Sequence, residues 1–183
     1  MKMMDHIVAH SIQVSRVAII IVDSLIEAGA KLDRDLVRAS ALLHDITKTR
    51  SLKTEEPHAL TGEEFLCGLG YPDVGNIVGQ HVRLREYFRT PSHREEEIVN
   101  YADKRVLHDR IVSLEERMIY IIQKYGKKRE NRQRILWLWN KTESLEKKFF
   151  NDIPLTPDDL SGILNGEELS RQLRAYEKAC MDA

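Results

Sequence analysis

MDHIVAHSIQVSRVAIIIVDSLIEA, residues 4–28, is the stretch that carries the strongest fold signal in this chain. Its apolar residues recur every three to four positions, the spacing that places side chains on one face of an α-helix. Gly29 follows directly and suits the left-handed conformation that ends many helices. We therefore predict one long helix whose buried face carries Ile7, Val14, Val17, Ala18, Ile21 and Leu25.

The helical period continues outward from this stretch, and no segment alternates apolar and polar residues as a half-buried strand does. The sequence therefore predicts an all-α bundle of about eight helices. Polar segments without periodicity, at 47–57 and 83–91, are predicted loops. The further predicted helices cover residues 35–46, 58–69, 72–82, 92–106, a segment from 113, residues 131–150, a short segment after 156, and residues 167–181.

Three local signals mark helix starts. Asp33 is the predicted N-cap of the second helix. Capping boxes, in which a Ser and a Glu each bond a free backbone amide, occur at Ser92–Glu95 and Ser113–Glu116. The second box indicates a break at 107–112, although a single kinked helix also fits the pattern.

Length and charge limit the possible functions. A chain of 183 residues corresponds to about one domain. The net charge is −1, so no global field attracts a polyanion, and nucleic-acid binding would need a local basic patch. A basic run near 126–134 predicts a boundary between residues 1–126 and a helical extension, 127–183, packed on the same bundle.

Composition also predicts where the protein works. The longest wholly apolar run is six residues, against about 20 for a membrane-spanning helix, so we expect no membrane span. The first eleven residues contain Asp5, His6 and His10, which a secretory signal would not. We therefore expect a cytoplasmic protein. The two cysteines form no Cys-x-x-Cys pair, so a metal site must use His, Asp and Glu.

Imidazoles and carboxylates fall on five different predicted elements. Side chains from several helices of a small bundle can converge on one interior point. Neutral imidazole with carboxylate oxygen is the ligand set of Mn, Fe, Co, Ni and Zn sites. The candidate metal ligands are His10, His44, Asp45, His58, His81 and Asp103.

The His44–Asp45 pair is the sharpest local feature. Neighbouring helical residues project about 100° apart, so both reach one ion only if the ion lies beyond the helix end. Alternatively, each serves a different ion and the carboxylate bridges them. Leu42 and Leu43 would bury this helix end, and a buried carboxylate without a partner is costly, which argues for a cation. The second dipeptide, His108–Asp109, lacks such an apolar run and is predicted to be solvated.

These residues resemble the HD-domain metal-dependent phosphohydrolases over residues 6–106. The resemblance is carried by His10 in AHSIQVSRVA, by His44 and Asp45 in ALLHDITK, and by Asp103 in VNYADKRV. It implies an all-α bundle in which these four residues hold one divalent ion. Family members are mostly phosphomonoesterases or phosphodiesterases acting on nucleotides, so the resemblance implies a small phosphorylated substrate, with a nucleotide expected.

His58, in PHALTGEEFL, and His81, in IVGQHVRL, resemble the extra histidines of the subgroup that holds two ions. That subgroup includes symmetrical diadenosine tetraphosphate hydrolases and cyclic-dinucleotide phosphodiesterases. One or two ions per chain are thus expected, and Mn, Fe, Co, Ni, Mg and Zn stay open as the metal.

The expected reaction is hydrolysis of a phosphoester or phosphoanhydride by metal-activated water. Asp45 and Lys48 are the predicted catalytic residues, since Lys48 is placed to neutralise a phosphate or to orient Asp45. Arg83 and Arg85 follow His81 in a loop and are the predicted substrate-binding residues, because guanidinium groups bind phosphate as planar forks.

A second hypothesis is a non-catalytic, metal-stabilised HD module that binds RNA or regulates a partner. The tail PLTPDDLSGILNGEELSRQLRAYEKACMDA resembles the C-terminal segment of bacterial CCA-adding tRNA nucleotidyltransferases and poly(A) polymerases. Trp137, Trp139 and the basic run precede it. The spacing of apolar residues favours packing of the tail on the bundle instead, through Ile163, Leu164, Leu169 and Leu173. Association of the chain into homo-oligomers stays open.

Overall fold

The computed structural model describes residues 3–88, 90–164 and 166–181. Within these ranges the chain folds into ten helices and one two-stranded hairpin, which confirms the all-α prediction with two more helices than expected. The helices are α1 (Asp5–Glu27), α2 (Arg34–Leu43), α3 (Lys48–Thr54), α4 (His58–Gly68), α5 (Pro72–Val78), α6 (Glu95–Lys104), α7 (Leu114–Tyr125), α8 (Arg129–Phe150), α9 (Asp159–Ile163) and α10 (Gly166–Met181), and the strands are β1 (Val106–Leu107) and β2 (Arg110–Ile111).

Helix α1 forms the centre of the bundle and packs against α2, α6 and α10. Its predicted face is buried, and Val14, Val17 and Leu25 have no exposed surface. The expectation that no stretch could span a membrane needs correction, because within the described ranges α1 alone is long and apolar enough to do so by length and composition. Its apolar window is 67% buried inside the protein, so core packing accounts for its composition.

Several predicted helix ends are confirmed. The Asp33 side chain accepts a hydrogen bond of 2.9 Å from the Leu36 amide at the start of α2. Ser113 accepts one of 3.1 Å from the Glu116 amide at the start of α7. Gly29 has φ 96°, the left-handed conformation expected after α1.

The predicted loop at 47–57 is wrong in part, because it contains helix α3. This helix has no apolar period to reveal it, and Leu52, on its second turn, is an exposed residue. Its first turn is instead fixed by backbone bonds from Arg50 and Ser51 to the Thr47 carbonyl, each of 3.0 Å. The other predicted loop, 83–91, contains neither helix nor strand where the structure describes it.

The capping box at Ser92 is also wrong. Helix α6 begins at Glu95, and Arg94 is its N-cap residue. Tertiary contacts override the local signal: the Ser92 carbonyl accepts a hydrogen bond of 2.8 Å from Lys148, and Glu95 accepts one of 2.9 Å from the Asp33 amide.

The break predicted at 107–112 is confirmed, but it takes the form of a hairpin. Strands β1 and β2 pair in antiparallel register, Val106 with Ile111 and Leu107 with Arg110. His108, between them, adopts a left-handed conformation with φ 58°. The chain therefore reverses direction after α6 and brings the His108 backbone back to α1.

The C-terminal helices pack on this core. Helix α8 lies against α6, where Trp139, Leu145 and Phe149 are buried in the main hydrophobic cluster. Leu169 of α10 packs with Val8 and Ile12 of α1. Ile163, predicted to face inward, is an exposed residue, and Asn165, which lies between the last two predicted helices, is outside the described residues. The division at residue 126 stays a prediction.

Candidate metal centre

The six predicted ligands lie together in the interior of the bundle, although they come from five parts of the chain. The second turn of α1 provides His10, and the turn after α2 provides His44 and Asp45. The remaining three are the first residue of α4, the residue three positions after α5, and a residue in the last turn of α6: His58, His81 and Asp103.

Backbone carbonyls orient three of the imidazoles. His10 donates from Nδ1 to the His108 carbonyl at 2.8 Å, His44 donates to Ala41 at 2.8 Å, and His81 donates to Val78 at 2.7 Å. A carbonyl oxygen can only accept, so each Nδ1 carries the proton and each Nε2 keeps its lone pair. This is the arrangement that directs a ligating imidazole at a metal ion.

The Asp45 carboxylate lies between two groups of imidazoles. Its Oδ2 is 3.4 Å from His44 Nε2 and 4.0 Å from His10 Nε2. Its Oδ1 is 3.3 Å from His58 Nε2 and 3.6 Å from His81 Nε2. The ligand atoms therefore form two sets that could each hold an ion, His10–His44–Asp45 and Asp45–His58–His81, with Asp45 in both.

Unsatisfied polar atoms in this cluster fit a bound cation. His44 Nε2 and Asp45 Oδ1 are buried, and neither has a hydrogen-bond partner within the described ranges. The Nε2 atoms of His58 and His81 lie 3.1 Å apart. Buried polar atoms without partners are costly, and a divalent ion accepts such lone pairs. The donor set of imidazole nitrogen and carboxylate oxygen thus fits a metal that prefers mixed N and O ligands.

Asp103 completes the first set and is held in place by a lysine. Its Oδ1 is 3.1 Å from His10 Nε2 and 3.7 Å from His44 Nε2. Its Oδ2 accepts a hydrogen bond of 3.1 Å from Lys104, which also donates to the His81 carbonyl. Lys104 therefore joins the backbones that carry ligands of both sets, and no sequence pattern indicated this role.

Burial and charge set the protonation of the cluster. Burial raises the pKa of a carboxyl group, but the His44 imidazole and its neighbours hold the pKa of Asp45 well below its usual range. For Asp103, burial is likewise outweighed by the Lys104 ammonium, and its pKa is also well below the usual range. Both carboxylates are therefore charged at neutral pH.

The pKa values of two buried histidines shift in opposite directions. Burial lowers the pKa of His81 to about 4, so its imidazole is neutral at pH 7. Burial also opposes the charged form of His44, but the carboxylates of Asp45 and Asp103 outweigh it and raise the pKa of that imidazole. The carboxylates thus attract positive charge to the point where His44 Nε2 lies, and a metal ion supplies that charge in place of a proton.

Lys48 contacts the cluster from its solvent side. Its ammonium donates a hydrogen bond of 2.6 Å to Asp45 Oδ2, and 36% of its side chain is exposed. Of the two roles that the sequence left open, orienting Asp45 is the one visible in this contact. Solvent exposure leaves the same ammonium within reach of a bound anion.

The predicted phosphate-binding arginines are engaged elsewhere. Arg85 donates to Glu63 at 2.6 Å and to Asn76 at 2.5 Å, and a carboxylate neutralises the charge that a phosphate would need. The Arg83 guanidinium lies 5.4 Å from the centre of the Trp137 ring. Among the described residues, no hydrogen bond or salt bridge joins either arginine to the His/Asp cluster, and their assignment to phosphate binding stays a prediction.

Thr47 supports the second set of ligands and was not singled out by the sequence. It is fully buried, and its hydroxyl donates a hydrogen bond of 2.8 Å to the His58 carbonyl. The same hydroxyl accepts one of 2.9 Å from Thr61 on α4. The turn that carries His44 and Asp45 is therefore joined directly to the start of α4, which carries His58.

Comparison with known proteins agrees with this arrangement. A family model of the HD domain matches residues 7–106, more than half of the 183-residue chain. An uncharacterised protein of Methanocaldococcus jannaschii is 26% identical over 158 residues, which cover 78% of this chain and 91% of that protein. No solved structure matches the chain.

A tRNA (cytidine(56)-2'-O)-methyltransferase of Picrophilus torridus is 33% identical over 129 residues, which cover 62% of this chain. The match spans 35% of that enzyme. The family match contains all six residues of the His/Asp cluster. On the strength of that match over more than half its length, the chain belongs to the HD domain family.

Proposed function

We propose that this protein is a metal-dependent phosphohydrolase whose centre holds two divalent ions bridged by Asp45. The observation that carries the proposal is the position of the Asp45 carboxylate, each oxygen of which faces a different pair of imidazole nitrogens. A carboxylate that binds a single ion needs imidazole nitrogens near only one of its oxygens. Two adjacent ions suit displacement at phosphorus, where an attacking and a leaving oxygen both need stabilisation.

The side chains divide between the two positions. His10, His44 and Asp103 would hold one ion together with Asp45 Oδ2, and His58 and His81 would hold the other together with Oδ1. When bound, such ions lower the pKa of water at the site and polarise a phosphoryl oxygen. Mn, Fe, Co, Ni, Mg and Zn are the candidate metals.

Lys48 would act on the substrate side of the centre. Its ammonium is held by Asp45 Oδ2 and is partly exposed, so it can contact an incoming phosphate without leaving the carboxylate. A compact, strongly hydrated ammonium suits a phosphate as a point charge. We propose a phosphorylated small molecule as the substrate class, with nucleotides tested first.

The test is hydrolysis of p-nitrophenyl phosphate and bis(p-nitrophenyl) phosphate by protein supplied with Mn²⁺. We expect metal-dependent turnover that Asp45→Asn lowers by roughly a thousandfold, because losing the bridging charge removes several kcal/mol of transition-state stabilisation. Asp109→Asn is the matched control, since it makes the same change in the exposed His108–Asp109 dipeptide. Full metal-dependent turnover by Asp45→Asn would refute the proposal.

A second candidate is a non-catalytic HD module that binds RNA and uses the ion only to stabilise the bundle. The observation that favours it is the similarity to part of a tRNA (cytidine(56)-2'-O)-methyltransferase. Salt-sensitive tRNA binding, together with a chelator that unfolds the protein and no hydrolysis of either substrate, would support this candidate instead.

A further inference from the structure

The side chain of Trp137 forms an exposed aromatic surface on α8. The residue is 44% exposed, whereas Trp139, two positions along the same helix, is buried at 4%. The Tyr87 and Trp137 rings pack in a T-shaped arrangement, with ring centroids 5.6 Å apart at an interplanar angle of 86°. A large apolar ring fixed by a second ring yet left open to solvent is typical of a binding surface rather than of a core.

Cations surround this ring. The Arg83 guanidinium lies 5.4 Å from its centroid and the Lys141 ammonium lies 5.7 Å from it. Arg134 lines the same cavity. Across the described ranges, no salt bridge includes Arg83, Arg134 or Lys141, in contrast to Arg85, which pairs with Glu63. Arg83 and Lys141 thus make cation–π contacts with Trp137 and keep charges that no carboxylate of the described residues neutralises, although the whole chain has a net charge of −1.

The cavity at this surface has a volume of about 230 Å³ and is lined by Arg83, Arg134, Trp137 and Leu138. Pockets for drug-sized ligands are larger, roughly 300–1,000 Å³. The available space therefore suits one flat ring system against Trp137, with the attached polar group beside the cations.

The surface also lies next to the metal centre along the chain. Arg83 is two residues after His81, one of the candidate ligands, and its side chain spans from that segment to Trp137. Arg83 therefore connects this surface, through two residues of backbone, to the segment that carries His81.

We infer that Trp137, Arg83, Arg134 and Lys141 form a nucleobase-binding platform, on which a base stacks against the Trp137 ring while its phosphate contacts the cations. The chemistry recognised is a base with an attached phosphate, which a free nucleotide and single-stranded nucleic acid share. An acidic peptide would use the charges but not the flat face of the ring. The inference names a substrate class for the proposed phosphohydrolase, and in that respect it rests on the proposed function.

Binding measured without turnover tests this platform. A fluorescein-labelled hexamer of adenylate RNA is titrated with the full chain, and fluorescence anisotropy gives the dissociation constant. We expect Trp137→Ala to weaken binding by about tenfold or more, because one stacked base is lost. Trp137→Phe should stay within about threefold of the wild type, since it keeps a stacking face. Arg134→Gln should weaken binding and reduce the salt slope by about 1.

Matched controls distinguish binding at the platform from the effect of removing any surface charge and from stacking on any exposed aromatic ring. Arg132→Gln removes the same charge from an exposed position of α8 that does not line the cavity, and Tyr125→Ala removes an exposed aromatic residue of α7. Both should change affinity by less than about twofold, because neither position lines the proposed platform. Equal losses in Trp137→Ala and Tyr125→Ala, or no binding by the wild type, would overturn the inference.

Competition identifies the source of the base. Displacement of the labelled RNA by AMP at concentrations similar to those of the unlabelled hexamer indicates a free nucleotide, and displacement by the hexamer alone indicates single-stranded nucleic acid. Inorganic phosphate that competes as well as AMP would contradict stacking. Because binding is measured without hydrolysis, the two proposals can be separated. Loss of RNA binding with intact phosphohydrolase activity would contradict only the platform, and binding without hydrolysis would contradict only the proposed function.

Discussion

Lys104 fixes which oxygen of Asp103 faces the histidines. Its ammonium binds Oδ2 at 3.1 Å, which leaves Oδ1 beside His10 and His44. The same ammonium donates to the His81 carbonyl, next to an amide hydrogen bond of 2.9 Å from Asn100. Burial lowers the pKa of Lys104, but the Asp103 carboxylate opposes that effect. The lysine thus orients candidate metal ligands without belonging to either candidate ligand set.

We expect Lys104→Met to weaken Mn²⁺ binding by about 10–100-fold, the usual effect of losing a group that orients metal ligands. Methionine keeps much of the side-chain volume, so a cavity would not cause the change. Isothermal titration with Mn²⁺ measures it, and Lys53→Met, on the exposed end of α3, is the control. Unchanged affinity in Lys104→Met would show that Asp103 needs no such support.

At the scale of single residues, the grouping of the His/Asp cluster was predictable from the sequence, but the partners that support its side chains were not. His44 and Asp45 stand out because a charged pair follows two leucines at a helix end. Lys104 gives no such signal, since a lysine beside an aspartate on a helix is usually solvated. Arg85 was predicted to bind phosphate, but its guanidinium pairs with Glu63. Because Glu63 lies 22 residues earlier in the chain, no local sequence pattern indicates this contact.

At the scale of elements, the β1–β2 hairpin contacts the candidate metal centre through its backbone. The His108 carbonyl accepts the Nδ1 hydrogen of His10, which fixes the orientation of that ring. His108 holds a left-handed conformation with φ 58°. The exposure of its side chain agrees with the predicted solvated dipeptide, but the prediction missed the role of its carbonyl.

This geometry predicts a difference between two substitutions at residue 108. His108→Val places a β-branched residue at positive φ, and should lower the free energy of unfolding by about 1–2 kcal/mol. It should also weaken metal binding, because the turn that holds His10 shifts. His108→Gly fits the turn and should bind metal like the wild type. Urea unfolding and Mn²⁺ titration of both variants test this, and equal behaviour of Val and Gly would contradict it.

The elements that the sequence did not predict share a physical cause. Helix α3 has a single apolar residue, Leu52, and each strand of the hairpin has only two residues, so neither element is able to produce a periodic pattern. The start of α6 is set by Lys148 and Asp33, which are distant in sequence, and so the Ser92 capping box does not decide it. Long amphipathic helices such as α1 and α8 were predictable because their buried apolar residues recur every three to four positions.

At the scale of the whole molecule, Arg105 joins the core of the bundle to the C-terminal region. It is buried, and it donates to the Val112 carbonyl at 2.8 Å, to Glu146 on α8 at 3.0 Å and to the Pro157 carbonyl at 2.9 Å. Tyr101 donates to the same Glu146 carboxylate at 2.6 Å. One guanidinium thus holds together α6, the segment after the hairpin, α8 and the segment before α9.

We predict that Arg105→Met lowers the free energy of unfolding by about 3 kcal/mol, because Glu146 loses its cation and keeps only the Tyr101 hydroxyl, and two carbonyls lose the hydrogen bond from Arg105. The double variant Arg105→Met/Glu146→Met should recover part of this loss, since replacing both members of a buried pair is less costly than replacing one. Urea unfolding of the double-mutant cycle measures the coupling.

The control for this cycle is Arg50→Met, which breaks an exposed pair with Glu56 and should change stability by less than about 1 kcal/mol. If Arg105→Met were no more destabilising than Arg50→Met, the C-terminal helices would not depend on this arginine.

The metal content of the purified chain tests the central claim most directly. We predict two equivalents of divalent metal per chain by mass spectrometry of protein prepared without an affinity tag, because the Asp45 oxygens face two separate ligand sets. His58→Ala and His81→Ala should each reduce the content to one equivalent, and Asp45→Ala should lower it further. One equivalent in the wild type that His81→Ala leaves unchanged, or no metal taken up when it is supplied, would contradict the two-ion centre.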